Sequence, residues 1–466
     1  MDILLINPPV KEIYGEFTPP DYPPLGIAYL AATLEKEGYN VKIEDLATSR
    51  DYESILNKSL KEFNPSLVGI TATTPTFSIA VELAQKIKKS SKAKIVVGGM
   101  HTTLTPKKSI KPKYIDFIIF GEGEETIKEL ACALKRKEKD FSKIKGLGYK
   151  KNGVGMINEP RPLIRNLDDI PFPARHLFKS LNYTYPDARY SPCYPIMTSR
   201  GCSGKCTYCC TKNIYPYLRL RSPKNVVDEI ELLVNKYGAR EIHIWDDNFI
   251  VAKKRVFEIR DELKKRKIKV KFSFPNGVRV DFATEDVLKA LKEMGTYSLA
   301  FGVESGNQHI LDNVKKGTTI KQIEDAFKLA KKLKIETWAF FLLGLPGETK
   351  KSIEKTIDFA KKINPDVAKF HILKPFPGSE IFTELADKGL INSYDYDTYG
   401  IHTRPVHRLP NLSEDELLEM QKKAYRKFYL RPGKIIKHIT RLNSITRIKL
   451  NFSPVISIIK NVMHRK

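Results

Sequence analysis

The sequence predicts an α/β protein made of two successive parallel-sheet units, and three observations carry this. Short β-rich runs alternate with helical stretches over residues 1–140. A second alternation of six strand–helix units begins near 191. A connector with hairpin and Pro-rich character, residues 141–190, separates the two.

In the first unit the strand candidates are "ILLI" (3–6), "VKIE" (41–44), "LVGIT" (67–71), "KIVVGG" (94–99) and "DFIIFGEGE" (116–124). Five strands with helical crossovers predict a doubly wound, flavodoxin-like sheet, whose ligands bind beyond the carboxyl ends of the strands. Those ends are Asn7-Pro8-Pro9, Thr71-Ala72-Thr73, Gly98-Gly99 and Gly121-Glu122-Gly123-Glu124. The connector contains "GLGYKKNGVGMINEP", with hairpin character, and "LDDIPFPARHLF". Over residues 191–385, six strand–helix units predict an open (β/α)6 partial TIM barrel with its site at the strands' carboxyl ends.

Residues 386–466 are expected to be a basic helical region. The chain carries 80 Lys+Arg against 54 Asp+Glu, a net charge of +26. Half of that surplus lies in residues 421–466, which hold thirteen Lys/Arg and no acidic residue. Ile435, Ile436, Ile439, Leu442, Ile445 and Ile448 recur at helical steps opposite Lys434, Lys437, Arg441 and Arg447. This basic amphipathic pattern suits an anionic bilayer surface, and equally a helix packed on the barrel with a solvated basic face. The start, "MDILLINPPV", lacks a basic n-region and a cleavable apolar core, and no run approaches the ~20 apolar residues of a membrane span. The expectation is a cytoplasmic protein, with the tail as the candidate for peripheral contact at the inner membrane face.

Four of six cysteines fall in "TSRGCSGKCTYCC" (198–210), directly after the first barrel strand. Cys202, Cys206 and Cys209 form C-x3-C-x2-C. Three thiolates on one tight loop suit three irons of a [4Fe–4S] cluster and leave the fourth iron open. A zinc site would want a fourth ligand from Cys210, Cys193 or the nine histidines, none of which stands in a matching knuckle. A redox pair at Cys206 and Cys209 leaves Cys202 unexplained. Cys132 reads as a small buried hydrophobe, and His243 as a strand residue of the core.

The cysteine loop, with Tyr208 before its last ligand and barrel strands following, resembles the radical SAM superfamily. The N-terminal "NPP", "VVGGMHTT" and "GEGEET" resemble its cobalamin-binding-domain subgroup, and the likeness spans roughly residues 1–385. It implies that Cys202, Cys206 and Cys209 hold the cluster and that S-adenosylmethionine chelates the open iron. Tyr208 and "DDNF" (Asp246, Asp247, Asn248) would lie by the methionyl end. "GVES" (Glu304, Ser305) would touch the ribose. "FFLLGLPGE" (Gly344, Pro346) would run along the adenine, although Phe340 replaces the usual glycine and Glu348 comes one place late. Asn7, Pro8, Thr71, Thr73, Gly98, Gly99, His101, Gly121, Glu122 and Gly123 would face cobalamin. The loop after the first strand holds no histidine, so cobalt would lack a ligand from it; His101 is expected at the rim.

The activity implied is methylation of an unactivated carbon through one-electron cleavage of S-adenosylmethionine to a 5′-deoxyadenosyl radical. Oxidative cyclisation, or other carbon–carbon bond formation without net methylation, is the alternative. Methylthiolation of transfer RNA would call for three further N-terminal cysteines where only Cys132 stands. A non-catalytic cobalamin or iron–sulfur protein would have no need of the S-adenosylmethionine motifs. The expected partners are a small-molecule, lipid or peptide substrate and a one-electron reductant such as ferredoxin or flavodoxin; nucleic acid is not expected.

Overall fold

The computed structural model describes all residues except 11–21, 50, 182, 184, 186, 401–402 and 436–466. Strands β1 (Asp2–Asn7), β2 (Asn40–Asp45), β3 (Leu67–Thr71), β4 (Lys94–Gly98) and β5 (Phe117–Ile119) pair in parallel in the order β2-β1-β3-β4-β5. Their side chains alternate between two cores. Ile3, Leu5 and Val96 pack under the helices Leu25–Lys36 and Glu124–Lys135. Leu4, Ile6 and Val97 pack under Tyr52–Phe63 and Phe77–Ser90. Helices on both faces bury the strand interiors, which explains their near-continuous hydrophobicity.

The hairpin expected in the connector is β6 (Leu147–Lys151) and β7 (Val154–Ile157). It pairs antiparallel with β5 and extends the first sheet by two strands. Its two-residue turn, Asn152-Gly153, has positive φ at both positions (50° and 80°), the twist-compatible hairpin geometry.

The second sheet contains β8 (Cys193–Ile196), β11 (Glu241–Ile244), β12 (Lys271–Val278), β13 (Thr296–Glu304), β14 (Glu336–Leu343) and β15 (Val367–Ile372), parallel and in chain order. β8 and β15 are its two edges, so the barrel is open. A two-stranded ribbon, β9 (Ser199–Arg200) with β10 (Arg219–Leu220), stands between β8 and β11 in sequence. The helix Glu414–Tyr429 lies against β15 and covers its free backbone. The Phe370 and Ala368 N–H groups donate to the Tyr425 and Tyr429 hydroxyls, and the Gln421 amide donates to the Phe370 carbonyl. An exposed edge strand is thereby blunted.

The amphipathic helix expected from Ile435 onward lies outside the described residues, apart from its first residues. Of these, Lys434 is buried and donates to the Pro365 carbonyl. Among the described residues no helix is long and apolar enough to cross a membrane.

Candidate cofactor site between the two sheets

The cysteine loop is set by the strand before it. Asp246, just past β11, accepts from the Thr198 N–H (2.5 Å), the Thr198 hydroxyl (2.5 Å) and the Ser199 hydroxyl (2.6 Å), and it is 3% exposed. Asp246 is therefore spent on anchoring the loop's base, a correction to its expected place at the cofactor. Gly201 turns the chain at φ +90°, where a Cβ would stand 2.7 Å from the Tyr217 carbonyl oxygen. Thr207 then ties the loop to its surroundings, its N–H donating to Val314 O (3.1 Å) and its carbonyl accepting from Ile381 N–H (3.0 Å).

Donors converge on the sulfurs. Gly204 N–H approaches Cys202 Sγ at 3.3 Å, Thr211 N–H approaches Cys209 Sγ at 3.5 Å, and an Arg279 Nη approaches Cys206 Sγ at 3.8 Å. A Cβ on Gly204 would lie 3.5 and 3.7 Å from the Cys202 and Cys206 sulfurs. Burial pushes the Cys202 and Cys209 thiols up, so metal loading must release their protons. Cys210 points elsewhere, toward the Phe376 and Pro377 carbonyls, and burial raises it to about 12.

Charged groups ring the loop. Arg279 is paired with Asp281 at 2.9 Å. Buried Lys316 donates to Glu304 (2.8 Å) and to the Tyr208 hydroxyl (3.3 Å). Burial pulls Lys316 down, but the Glu304 and Cys206 charges outweigh it and leave it raised. Glu304 sits at φ +64°, beside a register break between β13 and β14. That left-handed backbone is costly for a side-chain-bearing residue and turns the carboxylate toward Lys316. Gly302 has no Cβ, which would fall 2.7 Å from the Glu304 carboxylate. Asp247 lies beside the loop, where partial loss of solvation and then the Asp246 charge raise it. Asn248 is fully buried, and its Nδ2 has no partner among the described residues.

Sequence reasoning missed Arg279 and Lys316. Arg279 immediately follows β12, a mouth position that the strand ends alone would have flagged.

Two further expected contacts are turned away. Ser305 is buried against the Thr356 hydroxyl (3.1 Å). Gly344 lies in a closed turn, its N–H on Glu348 Oε2 (2.7 Å) and its carbonyl on His407 Nε2 (2.8 Å). Pro346 remains half-buried at the turn's surface.

The first sheet presents a largely neutral edge. Thr73, Gly99 and Gly121 are exposed there, with Thr71 and Gly98 half-buried and Pro8 buried. Gly99 has φ +112°, and a Cβ would meet the Ala72 carbonyl oxygen at 2.6 Å. Asn7 turns sideways to Asp45 (2.8 Å). Gly123 packs against Leu30, where a Cβ would stand 3.2 Å from that side chain.

Two residues leave this edge. His101 is not at the rim: it is 2% exposed, its nitrogens face the Thr74 (3.4 Å) and Thr105 (3.1 Å) hydroxyls, and its ring packs on Phe77 at 4.3 Å. Burial holds it down at about 4, and so neutral. Glu122 faces the other domain. It pairs with Arg200 (2.5 Å) and Arg219 (2.7 Å), while Glu124 pairs with Arg200 (2.5 Å). This buried network ties the first sheet to the residue two places before Cys202. The edge also touches the second unit, since a Cβ on Gly378 would strike Leu104 at 2.7 Å and the Ser78 hydroxyl bonds to Asp397.

Known proteins share both halves. The radical SAM superfamily model matches residues 196–360, and that of the B12 binding domain matches residues 13–131. "Uncharacterized methyltransferase PH0819" of Pyrococcus horikoshii is 37% identical, covering 94% of this chain and 95% of that one. This chain belongs to the cobalamin-type radical SAM family. An anaerobic magnesium-protoporphyrin IX monomethyl ester cyclase of Cereibacter sphaeroides is 31% identical, over 88% of this chain and 67% of the relative. The solved structure of the radical S-adenosylmethionine methyltransferase TsrM from Kitasatospora setae, with cobalamin and a [4Fe-4S] cluster bound, has a TM-score of 0.72. At 19% identity it covers 93% of this chain and 89% of that one, a shared fold.

The residues present fit the family's cofactors. Three thiols meet backbone and guanidinium donors, the unpartnered Asn248 amide points to a polar ligand, and a neutral glycine-rich edge admits close backbone approach.

Proposed function

We propose that this chain is a cobalamin-dependent radical SAM methyltransferase that methylates an unactivated carbon of a small molecule. The observation that supports this best is the docking of the two cofactor edges. Glu122 and Glu124, at the glycine edge of the B12-type sheet, pair with Arg200 at the base of the cysteine loop. When bound, the cluster and S-adenosylmethionine supply one-electron bond cleavage, and cobalamin supplies the methyl group.

The chain's own residues do the rest. Cys202, Cys206 and Cys209 would hold three irons and leave the fourth for S-adenosylmethionine. Arg279 offsets thiolate charge, and the Lys316–Glu304 pair offers one charge of each sign to a zwitterionic ligand. Asn248 would offer its unpartnered amide to a polar group of the bound cofactor. Gly98, Gly99 and Gly121 let the first sheet's backbone approach cobalamin closely. A small reductant of the ferredoxin or flavodoxin class would supply the electron, in the cytoplasm.

Anaerobic reconstitution with iron, sulfide, cobalamin and methyl-labelled S-adenosylmethionine tests the reading. The expected products under reducing conditions are 5′-deoxyadenosine and S-adenosylhomocysteine. No 5′-deoxyadenosine would refute it. 5′-Deoxyadenosine without S-adenosylhomocysteine would favour ring formation, the second reading, which the likeness to the cyclase supports.

A further inference from the structure

β14 shows two different faces. Thr337, Ala339, Phe341 and Leu343 are buried, and Phe341 stacks on Phe370 at 5.0 Å beneath the C-terminal helix. The alternate residues Trp338, Phe340 and Leu342 therefore face the inside of the open barrel, and all three are only half-buried. Lys369 of β15, register partner of Phe340, shares this inner face.

Lys369 Nζ lies 4.9 Å from the Trp338 ring centroid and 5.6 Å from that of Phe340. Among the described residues it makes no hydrogen bond and no ion pair. The other enclosed lysines are all satisfied: Lys316 by Glu304, Lys374 by the Thr403 hydroxyl and the Thr398 carbonyl, and Lys434 by the Pro365 carbonyl. Lys369 has three donors, and its contacts among the described residues are with ring faces. Cation–π contacts offset part of the cost of enclosing an ammonium and leave its hydrogen-bonding capacity unused.

The charges on the barrel floor do not supply the missing acceptor. Glu241 accepts from the Tyr297 hydroxyl and from the Arg189 and Tyr190 N–H groups. Glu336 pairs with Arg189 and accepts from Trp338. Asp187 attracts Lys369 from a distance beyond an ion pair. Burial correspondingly pulls the ammonium's pKa down, with Asp187 opposing.

We propose that Lys369 receives a carboxylate or phosphate group of the substrate, whose apolar body lies against Trp338 and Phe340. This rests on the reading of the chain as an enzyme that works on a small molecule, and it adds the substrate's charge and character. An oxyanion would give the ammonium the charge-assisted bonds it lacks.

Calorimetric titration of the cofactor-loaded protein with 1-naphthylacetate, 1-naphthyl phosphate and neutral 1-naphthylacetamide tests it. The wild type is expected to bind one of the two anions at least about tenfold more tightly than Lys369→Met does. Lys369→Arg should keep most of that gain, and the amide should bind all three proteins alike. The anion with the larger gain separates a carboxylate from a phosphate ligand. Equal anion affinities in wild type and Lys369→Met, or no binding to either, would overturn the proposal and leave Lys369 an internal partner of Asp187. Binding is read without turnover, so a failure to form 5′-deoxyadenosine would remove the methyl-transfer reading and leave this result intact.

Discussion

The two edges that face each other are made of different material. At the first sheet's edge, Thr71, Thr73, Gly98, Gly99 and Gly121 carry no charge, and the nearby acids Glu122 and Glu124 are consumed by arginines. Around the cysteine loop of the second sheet stand Asp247, Arg279, Asp281, Glu304 and Lys316, most of them in pairs. The first edge is suited to holding a large ligand by close backbone approach. The second is suited to holding charged ligands by exchanging pairs that already exist. The substitutions at the sulfurs and at Gly99 each strike one side of this division and should leave the other standing, and the one at Arg200 strikes the link between them.

The largest effect is expected at the sulfurs. Cys202→Ala, Cys206→Ala or Cys209→Ala should each abolish the iron–sulfur absorbance and all S-adenosylmethionine cleavage. Cys210→Ala should preserve both, because its sulfur faces carbonyls. All four variants should still bind cobalamin. Loss of the cluster in the Cys210 variant would show that the loop's geometry has been misassigned.

Next comes the docking network. Arg200→Met leaves the Glu122 and Glu124 carboxylates buried without their shared partner. Breaking a buried pair in this way costs about 3–5 kcal/mol, to be read by denaturant unfolding. Replacing Glu124 as well, in a Glu124→Gln/Arg200→Met variant that keeps the Glu122–Arg219 pair, should recover much of that loss. If the single variant is as stable as wild type, the network does not hold the domains together.

A smaller, one-sided effect is expected at Gly99. Gly99→Ala forces a Cβ to within 2.6 Å of the Ala72 carbonyl oxygen at φ +112° and reshapes the neutral edge. Cobalamin affinity should fall at least about tenfold, the equivalent of about 1.4 kcal/mol, with the cluster loading unchanged. Unaltered cobalamin affinity would remove Gly99 from the ligand edge.

The strands and the cysteine loop were legible in the sequence because their signals are local. Runs such as "ILLI" are buried on both faces, and the three cysteines lie within eight residues. The residues misplaced by sequence reasoning are those whose partners are distant. Glu122 stands in a glycine-rich loop that looks built for a ligand, yet its partners are 78 and 97 residues away. Asp246 looks the same as Asp247 in sequence, but the turn after β11 sends one into the protein and the other toward the cysteines. His101 begins at an exposed strand end and is drawn inward by Phe77 and Tyr396, the latter from the C-terminal region. A lysine in a strand ordinarily faces solvent, and only the register of β15 with β14 places Lys369 on the lumen side.

The last expected effect concerns Glu348, which sits on the charged side of the division yet has no cation. Burial pushes its carboxyl up to about 8, against the pull of the Leu345 and Gly344 N–H groups. Both N–H groups reach Oε2, while Oε1 is buried with no partner among the described residues. The neutral acid, with its proton on Oε1, is therefore the form that the fold accepts. An unfolded carboxyl releases its proton near 4.5. Between there and about 8 the folded state binds more protons than the unfolded one, so this group's contribution to stability must fall as pH rises. Above 8 both states are ionised and the fall stops. Glu348→Gln keeps an acceptor for the two N–H groups and has nothing to titrate. From pH 5.5 to 8.5 the wild type should thus lose stability relative to the variant by up to about 3 kcal/mol, read as diverging unfolding curves. Parallel curves across that range would mean that Glu348 is ionised and solvated, and that the Gly344 turn opens far more often than its closed hydrogen bonds imply.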